Sequence, residues 1–176
     1  TDRDRTVINT LVAVVVFLIL WVLLRRPWIC AYLMATVLFS YFATLGLTNL
    51  FFWAMDPAGF AGLDWKVPMF LFTILIAVGE DYNIFLLTRI EEEVKEHGPI
   101  NGIIVALERT GSIISSCGII MAGTFSSLMA GSLVGMDQLG FALALGVILD
   151  TFVIRPVMVP SFLILLARYR ERNAAK

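Results

Sequence analysis

The chain has 176 residues, 59% of them hydrophobic and 15% charged, with a formal net charge of -1 and a mean hydropathy of +0.88. Soluble domains run at about 45–50% apolar and about 25% charged, so a single soluble globule is excluded and an all-α integral membrane bundle is expected. No nucleic-acid partner is expected. Cys30 and Cys117 both lie in apolar segments and read as small buried hydrophobes. One histidine, His97, without a Cys/His cluster speaks against a zinc site, and no cofactor is expected. The opening Thr1-Asp2-Arg3-Asp4-Arg5 has neither methionine nor a signal-peptide pattern, so the chain is expected to be a piece of a longer polypeptide.

A membrane-spanning helix needs about 20 mostly apolar residues. Five such spans are predicted in one transmembrane domain over 1–176. The first covers 7–24 and stops at Arg25-Arg26-Pro27, where proline breaks the helix. The second covers 28–53. The loop after it holds Pro57, Gly59 and Gly62 between Trp53 and Trp65, residues suited to a headgroup interface. The third covers 67–88 and ends at Arg89. The charged run from Glu91 to His97 reads as a solvated face. Ile100, Ile103, Ile104 and Leu107 then recur at i, i+3, i+4, i+7, so a short amphipathic cytoplasmic helix is predicted within 89–110.

The fourth span, 111–133, is rich in small residues. Gly111/Ser115, Ser112/Ser116, Ala122/Ser126 and Gly123/Ser127 are spaced by four, which lets helices approach closely. An internal position is predicted for it. The fifth span, 138–166, repeats that spacing in Gly140/Ala144 and Ala142/Gly146. It also carries Asp150 and Arg155, with Pro156 and Pro160. A basic tail follows. Counting Lys and Arg at the ends of the spans gives nine on the side of Arg25, Arg89 and Arg168 against three on the side of Arg3, Arg5 and Lys66. The positive-inside rule then sets the N-terminus outside and the C-terminus in the cytoplasm.

The third span holds the chemistry. Glu80 and Asp81 interrupt its apolar run, and Asp81 lies about 21 Å along the helix from Val67 and about 10 Å from Thr88. An ionisable group at that depth is a functional-site candidate by default. A carboxyl that exchanges between neutral and charged forms inside the membrane is what a proton relay requires. Tyr82 follows Asp81, but residues at i and i+1 do not face each other on a helix. Each therefore needs a partner on another helix. Arg155, Asp150 and the hydroxyls of Thr124, Ser126 and Ser127 are the options within the chain. Asp150 and Arg155 are five apart, about 140° around an α-helix, so they are not expected to pair with each other. Arg155 is far enough along its span to snorkel to the interface.

The run Gly79-Glu80-Asp81-Tyr82-Asn83-Ile84-Phe85-Leu86-Leu87-Thr88-Arg89-Ile90-Glu91-Glu92 resembles the aspartate-tyrosine helix of the MMPL branch of the resistance-nodulation-division (RND) transporters. Met121-Ala122-Gly123-Thr124-Phe125 and the stretch from Leu139 through Asp150 and Arg155 to Pro160 are similar to the last two spans of one half of that family. The resemblance implies half of an RND-type transmembrane domain of two pseudo-symmetric halves with large outer domains, in the bacterial inner membrane. It implies a proton-driven exporter of lipids or other hydrophobic molecules, a secondary transporter and not an enzyme. Asp81 and Tyr82 would form one side of the proton relay, completed by the other half. Glu80, Asp150, Arg155 and Thr124 are possible accessory residues. Glu80 departs from the family pattern, where a neutral residue is more usual. A sterol- or lipid-sensing module on the same scaffold, without net transport, is the alternative. An intramembrane protease is disfavoured, because the spans hold serines but neither histidine nor a lysine-serine dyad.

Overall fold

Long apolar runs in lipid must satisfy their own backbone groups, and the helix does so within one segment. The computed structural model describes residues 2–24, 27–131 and 135–174, and no strand occurs among them. The helices are α1 (Asp2–Leu24), α2 (Pro27–Met55), α3 (Lys66–His97), α4 (Pro99–Ser126), α5 (Met136–Leu149) and α6 (Val159–Ala174). A 3-10 turn, Ser127–Ala130, closes α4, and a π-helical stretch, Asp150–Met158, joins α5 to α6. Four of these units are long and apolar enough to cross a membrane: α2, α3, α4 with its 3-10 turn, and the joined α5–α6. Within α1 a shorter apolar stretch, Thr10–Val22, has the same character. Arg25, Arg26 and Lys176, which enter the charge bias, lie outside the described residues, as do the side chains of Arg3, Arg5 and Arg170.

The amphipathic segment is built from the ends of two long helices. The charged run continues α3 to His97, and α4 begins at Pro99 and runs without interruption to Ser126. Gly98 makes the turn at φ 82°, in the left-handed region that glycine enters without a Cβ penalty. Proline at the first helical position suits the restart. The buried stripe of this part of α4 is Gly102, Ile103, Ala106 and Thr110, with Ile104 exposed. Gly102 lies directly on α3, where a Cβ would meet Val94 Cα at 2.5 Å.

Two apolar cores stack along the bundle. One joins Leu33, Leu86, Leu87, Ile103, Ala106 and Val159 near the α3–α4 turn. The other joins Val37, Leu71, Leu75, Ile76, Ala142 and Leu143 toward the α2–α3 loop. In lipid such cores are held by close packing more than by exclusion of water, which makes glycine contacts decisive. Gly140 packs on Phe125 O and Leu128, and Gly146 on Leu75 and Thr44, so the small residues of α5 are enclosed.

Within the described helices the internal position expected of the fourth span is not filled. It is the least covered of the four long units, with 17% of its most apolar window buried. Ser112, Ser116, Gly123 and Ser127 are exposed, and a Cβ on Gly111 or Gly123 would meet open space. Its buried face is instead the stripe from Gly102 through Ile114, Gly118 and Ala122. A small-residue face signals a close neighbour, and among the described residues nothing covers Ser112, Ser116, Gly123 and Ser127.

Candidate functional site

Between the two apolar cores the packing changes from hydrocarbon to charge. Consecutive helical residues point about 100° apart, so the run from Gly79 to Asn83 addresses every side of α3. Glu80 and Asn83, three apart, both face inward and are buried. Asn83 Nδ2 donates to Glu80 Oε2 at 3.2 Å, while Glu80 Oε1 has no hydrogen-bond partner among the described residues. Tyr82 faces α4 and the π stretch. Its hydroxyl donates to Met121 Sδ at 3.3 Å, and its ring lies 4.4 Å from Arg155 Cζ, a cation–π arrangement.

Asp150 and Arg155 correct the expectation that they do not pair. Both are buried, 4% and 2% exposed. Arg155 Nε donates to Asp150 Oδ2 at 2.8 Å, and Arg155 Nη2 donates to the same oxygen. The expectation assumed an α-helix. Here the segment is π-helical, with its closing Val159 N–H bonded to Ile154 O. A π-turn closes from i to i+5, so residues five apart stack on one face. Proline supplies the reason for the widening. In α geometry the ring of Pro156 would strike the carbonyl of Phe152, and neither Pro156 nor Pro160 has an N–H to donate. Tyr32 supports the widened stretch from α2, donating to Met158 O at 2.9 Å while its ring stacks on Phe162 at 3.7 Å.

Arg155 therefore does not snorkel. Its Nη2 also donates to Gly79 O at 3.3 Å, which ties the fifth span to the helix carrying Asp81. Two close approaches permit this. A Cβ on Gly79 would lie 3.2 Å from Val37 Cγ2 and 4.0 Å from Asp150 Oδ2, and one on Gly118 would meet Thr151 Oγ1 at 2.5 Å.

Asp81 does not join this cluster. It is exposed, near the middle of α3, on a face that also presents Phe70, Ala77, Phe85 and Thr88. It makes no hydrogen bond or ion pair among the described residues. Thr124 is exposed as well, its hydroxyl donating to Ile120 O at 2.9 Å. Of the six residues named from sequence, the structure groups Glu80, Tyr82, Asp150 and Arg155, and leaves Asp81 and Thr124 apart. Met121 and Asn83 were not foreseen as members. Asn83 had a signal, the i,i+3 spacing from Glu80. Met121 had none beyond lying in an apolar helix.

The charged run near the Gly98 turn holds a second polar group that sequence reading took for a solvated face. Glu93 is 1% exposed. It accepts from Arg109 Nη1 at 2.5 Å, lies 2.9 Å from Arg89 Nη2, and lies 3.3 Å from His97 Nδ1. The Arg89–Glu93–His97 spacing of four was the available signal. Glu93, Glu96 and His97 have ligand atoms within 4.8 Å of one another, but a metal ion there would compete with two guanidinium groups for Glu93. An apolar cavity of about 420 Å³ beside this turn, lined by Ile29, Ile90, Ile103 and Leu163, contains none of the buried charges.

The chain is similar to known proteins over its whole length. The MMPL family profile matches residues 1–176. The chain is 41% identical over 169 residues to ActII-3 of Streptomyces coelicolor, which carries the name of a membrane protein. It is 36% identical over 170 residues to the apo-petrobactin exporter of Bacillus anthracis. It is 38% identical over 168 residues to MmpL12 of Mycobacterium tuberculosis, named as a probable transport protein. These matches cover 96% of this chain in each case, and 24%, 22% and 14% of the three relatives. The chain thus spans a quarter or less of the length of these relatives.

Proposed function

The chain belongs to the MMPL family, and on that premise we propose that it is one transmembrane half of a proton-driven secondary transporter exporting lipids or other hydrophobic compounds. In this reading residues 1–176 form one transmembrane domain of five spans, α1 contributing the first, in a bacterial inner membrane. The N-terminal end of α1 lies outside and the C-terminal end of α6 in the cytoplasm. The segment 89–110 is the cytoplasmic hairpin end of α3 and α4. Asp81 and Tyr82 serve as this half's share of an intramembrane proton relay. Asp150 and Arg155 fix the position of Tyr82 beside it. The names of two relatives, an exporter and a transport protein, support the transport class.

The observation that carries the reading is the contrast between Asp81 and the other buried-depth charges. Asp150 and Arg155 pair with each other inside the bundle. Asp81, at the same level of α3, faces out of it. A carboxyl facing bare hydrocarbon is costly, so an outward Asp81 requires a polar neighbour beyond these helices. The other pseudo-symmetric half supplies that neighbour, and the uncovered small-residue face of α4 is a second surface suited to close helix contact. Protonation of the shared site then biases the packing of the two halves, and the outer domains respond.

The test is Asp81→Asn in the full-length protein. It keeps shape and a hydrogen-bonding amide but cannot exchange a proton. Export driven by a proton gradient should be lost while the protein stays folded. Unimpaired gradient-driven export would refute the proposal, and lipid binding without net movement would favour the sensing module.

A further inference from the structure

Three hydroxyls on α2 depart from the behaviour of the others. Thr36, Thr88, Thr110, Thr124 and Ser126 each donate back to a carbonyl three or four residues earlier, the usual resting place of a hydroxyl in an apolar helix. Ser40, Thr44 and Thr48 are buried, at 1%, 0% and 0% exposure. Their oxygens have no hydrogen-bond partner among the described residues. Buried polar groups are nearly always bonded, to protein or to ordered water, so these three call for a partner that is not a side chain of this bundle.

Their spacing specifies its size. Residues four apart lie on one face of a helix, about 6 Å apart along its axis. Two O–H···O bonds of about 2.7–2.8 Å through one water span about 5.5 Å. One water therefore fits between successive hydroxyls. A shared cation does not, because hard-cation ligands converge to about 2.3–2.6 Å from the ion. The middle hydroxyl lies against the fifth span at Gly146, where a Cβ would come within 3.3 Å of Thr44 Oγ1.

The inner end of this line meets the charged cluster. One turn beyond Ser40, Val37 packs on Gly79, with Asp150 at the same place. There Glu80 Oε1 and Arg155 Nη1 are also buried without partners. The other end, Thr48, is two turns from the end of α2 at Met55, where the α2–α3 loop begins.

We propose that Ser40, Thr44 and Thr48 line a buried single file of water that carries protons between the α2–α3 loop end of the bundle and Glu80. An excess proton entering at the loop end shifts the hydrogen bonds along the file by one step each. The last water gives its proton to the Glu80 carboxylate, which becomes the carboxylic acid. Glu80 then passes that proton to the Asp81 carboxylate, returning to its own carboxylate form, and rotation of the waters resets the file. The groups facing Glu80 are Asn83 and Asp81 on its own helix, and Asp150 and Arg155 from the π stretch. This gives the unusual Glu80 a use: an inward acceptor next to the outward Asp81. The proton-carrying role rests on the proton-driven reading above, whereas the hydration of the file does not.

The experiment uses the full-length protein with its native cysteines replaced. Ser40→Cys, Thr44→Cys and Thr48→Cys are compared with Leu71→Cys, an apolar control that is equally buried. Silver ion, close to water in size, is added to membranes, and protected thiols are counted by later maleimide labelling in denaturant. Protection at positions 40, 44 and 48 should be at least tenfold faster than at 71. Rates no faster than the control overturn the proposal. In parallel, Thr44→Val and the triple Ser40→Ala/Thr44→Val/Thr48→Val remove hydroxyls while keeping shape. Both should fold, Thr44→Val serving if the triple does not, and gradient-driven transport should fall at least tenfold. Protected thiols with undiminished transport overturn the conducting role. If Asp81→Asn also leaves transport intact, the failure belongs to the transporter reading, and the thiol result still decides whether the file is wet.

Discussion

Replacing Asp150 with Leu isolates the one ion pair that the π stretch creates. Arg155 would keep its charge at 2% exposure, with Gly79 O as its remaining acceptor and Nη1 already unpartnered. Removing one member of a buried pair costs about 3–5 kcal/mol, because the other charge is left uncompensated. The Tyr82 ring, 4.4 Å from the guanidinium, offsets part of this, about 1–2 kcal/mol for a desolvated cation–π contact. A loss of about 3 kcal/mol is therefore expected for Asp150→Leu. The double variant Asp150→Leu/Arg155→Met removes both charges and should lie within about 1 kcal/mol of the parent, as buried pairs replaced by apolar groups often do. The measurement is a double-mutant cycle of equilibrium unfolding in mixed micelles, with full-length protein and all four members. It should return a coupling energy of at least about 2 kcal/mol, because most of the loss in each single variant is recovered when both charges are removed. If Asp150→Leu is within about 1 kcal/mol of the parent, or if the double variant loses the sum of the single losses, the pair does not hold the fifth span to α3.

Pro156→Ala restores an N–H and removes the ring clash, so the stretch can relax toward α geometry. Asp150 and Arg155 would then sit about 140° apart, and the same cycle in the Pro156→Ala background should show less than about 1 kcal/mol of coupling. Gly118→Val places atoms where a Cβ alone would meet Thr151 Oγ1 at 2.5 Å. Overpacking of this kind costs about 1–3 kcal/mol, and Thr151→Ala should restore part of it in a thermal-unfolding comparison. Glu93→Gln should cost about 1–2 kcal/mol, less than loss of Asp150, because Arg89 and Arg109 are 37% and 53% exposed and partly screened by solvent. That loss should shrink in high salt. A salt-independent loss would show that the carboxylate acts through packing and not through charge.

Much of the fold was legible because lipid allows few choices. Runs of about 20 apolar residues, the break at Pro27, and the glycine spacing of α5 all report local physics. The candidate site was legible in part for the same reason: a carboxylate in an apolar run stands out without any neighbour being known. Pairing was not legible. The 140° separation of Asp150 and Arg155 holds for an α-helix, and the sequence shows two prolines but not the helix type they induce. The neighbour of α4 was not legible, because small residues state that a partner is close without stating which chain segment it is. Glu93 looked solvated because six of the seven residues from Glu91 to His97 are polar or charged, and only the crossing of α4 over α3 covers it.

The sequence by itself determined the class of the molecule, the segments that become helices, and the presence of acids at membrane depth. These follow from transfer free energies and backbone hydrogen bonding, which act residue by residue. Only the tertiary structure decided which acid faces where. Glu80 and Asp81 are chemical neighbours in the chain, yet a rotation of about 100° per residue sends one into the bundle and the other out of it. That rotation is fixed by how Gly79, Gly118 and Gly146 let the helices close on one another. Such contacts join positions far apart in the chain and leave no local trace.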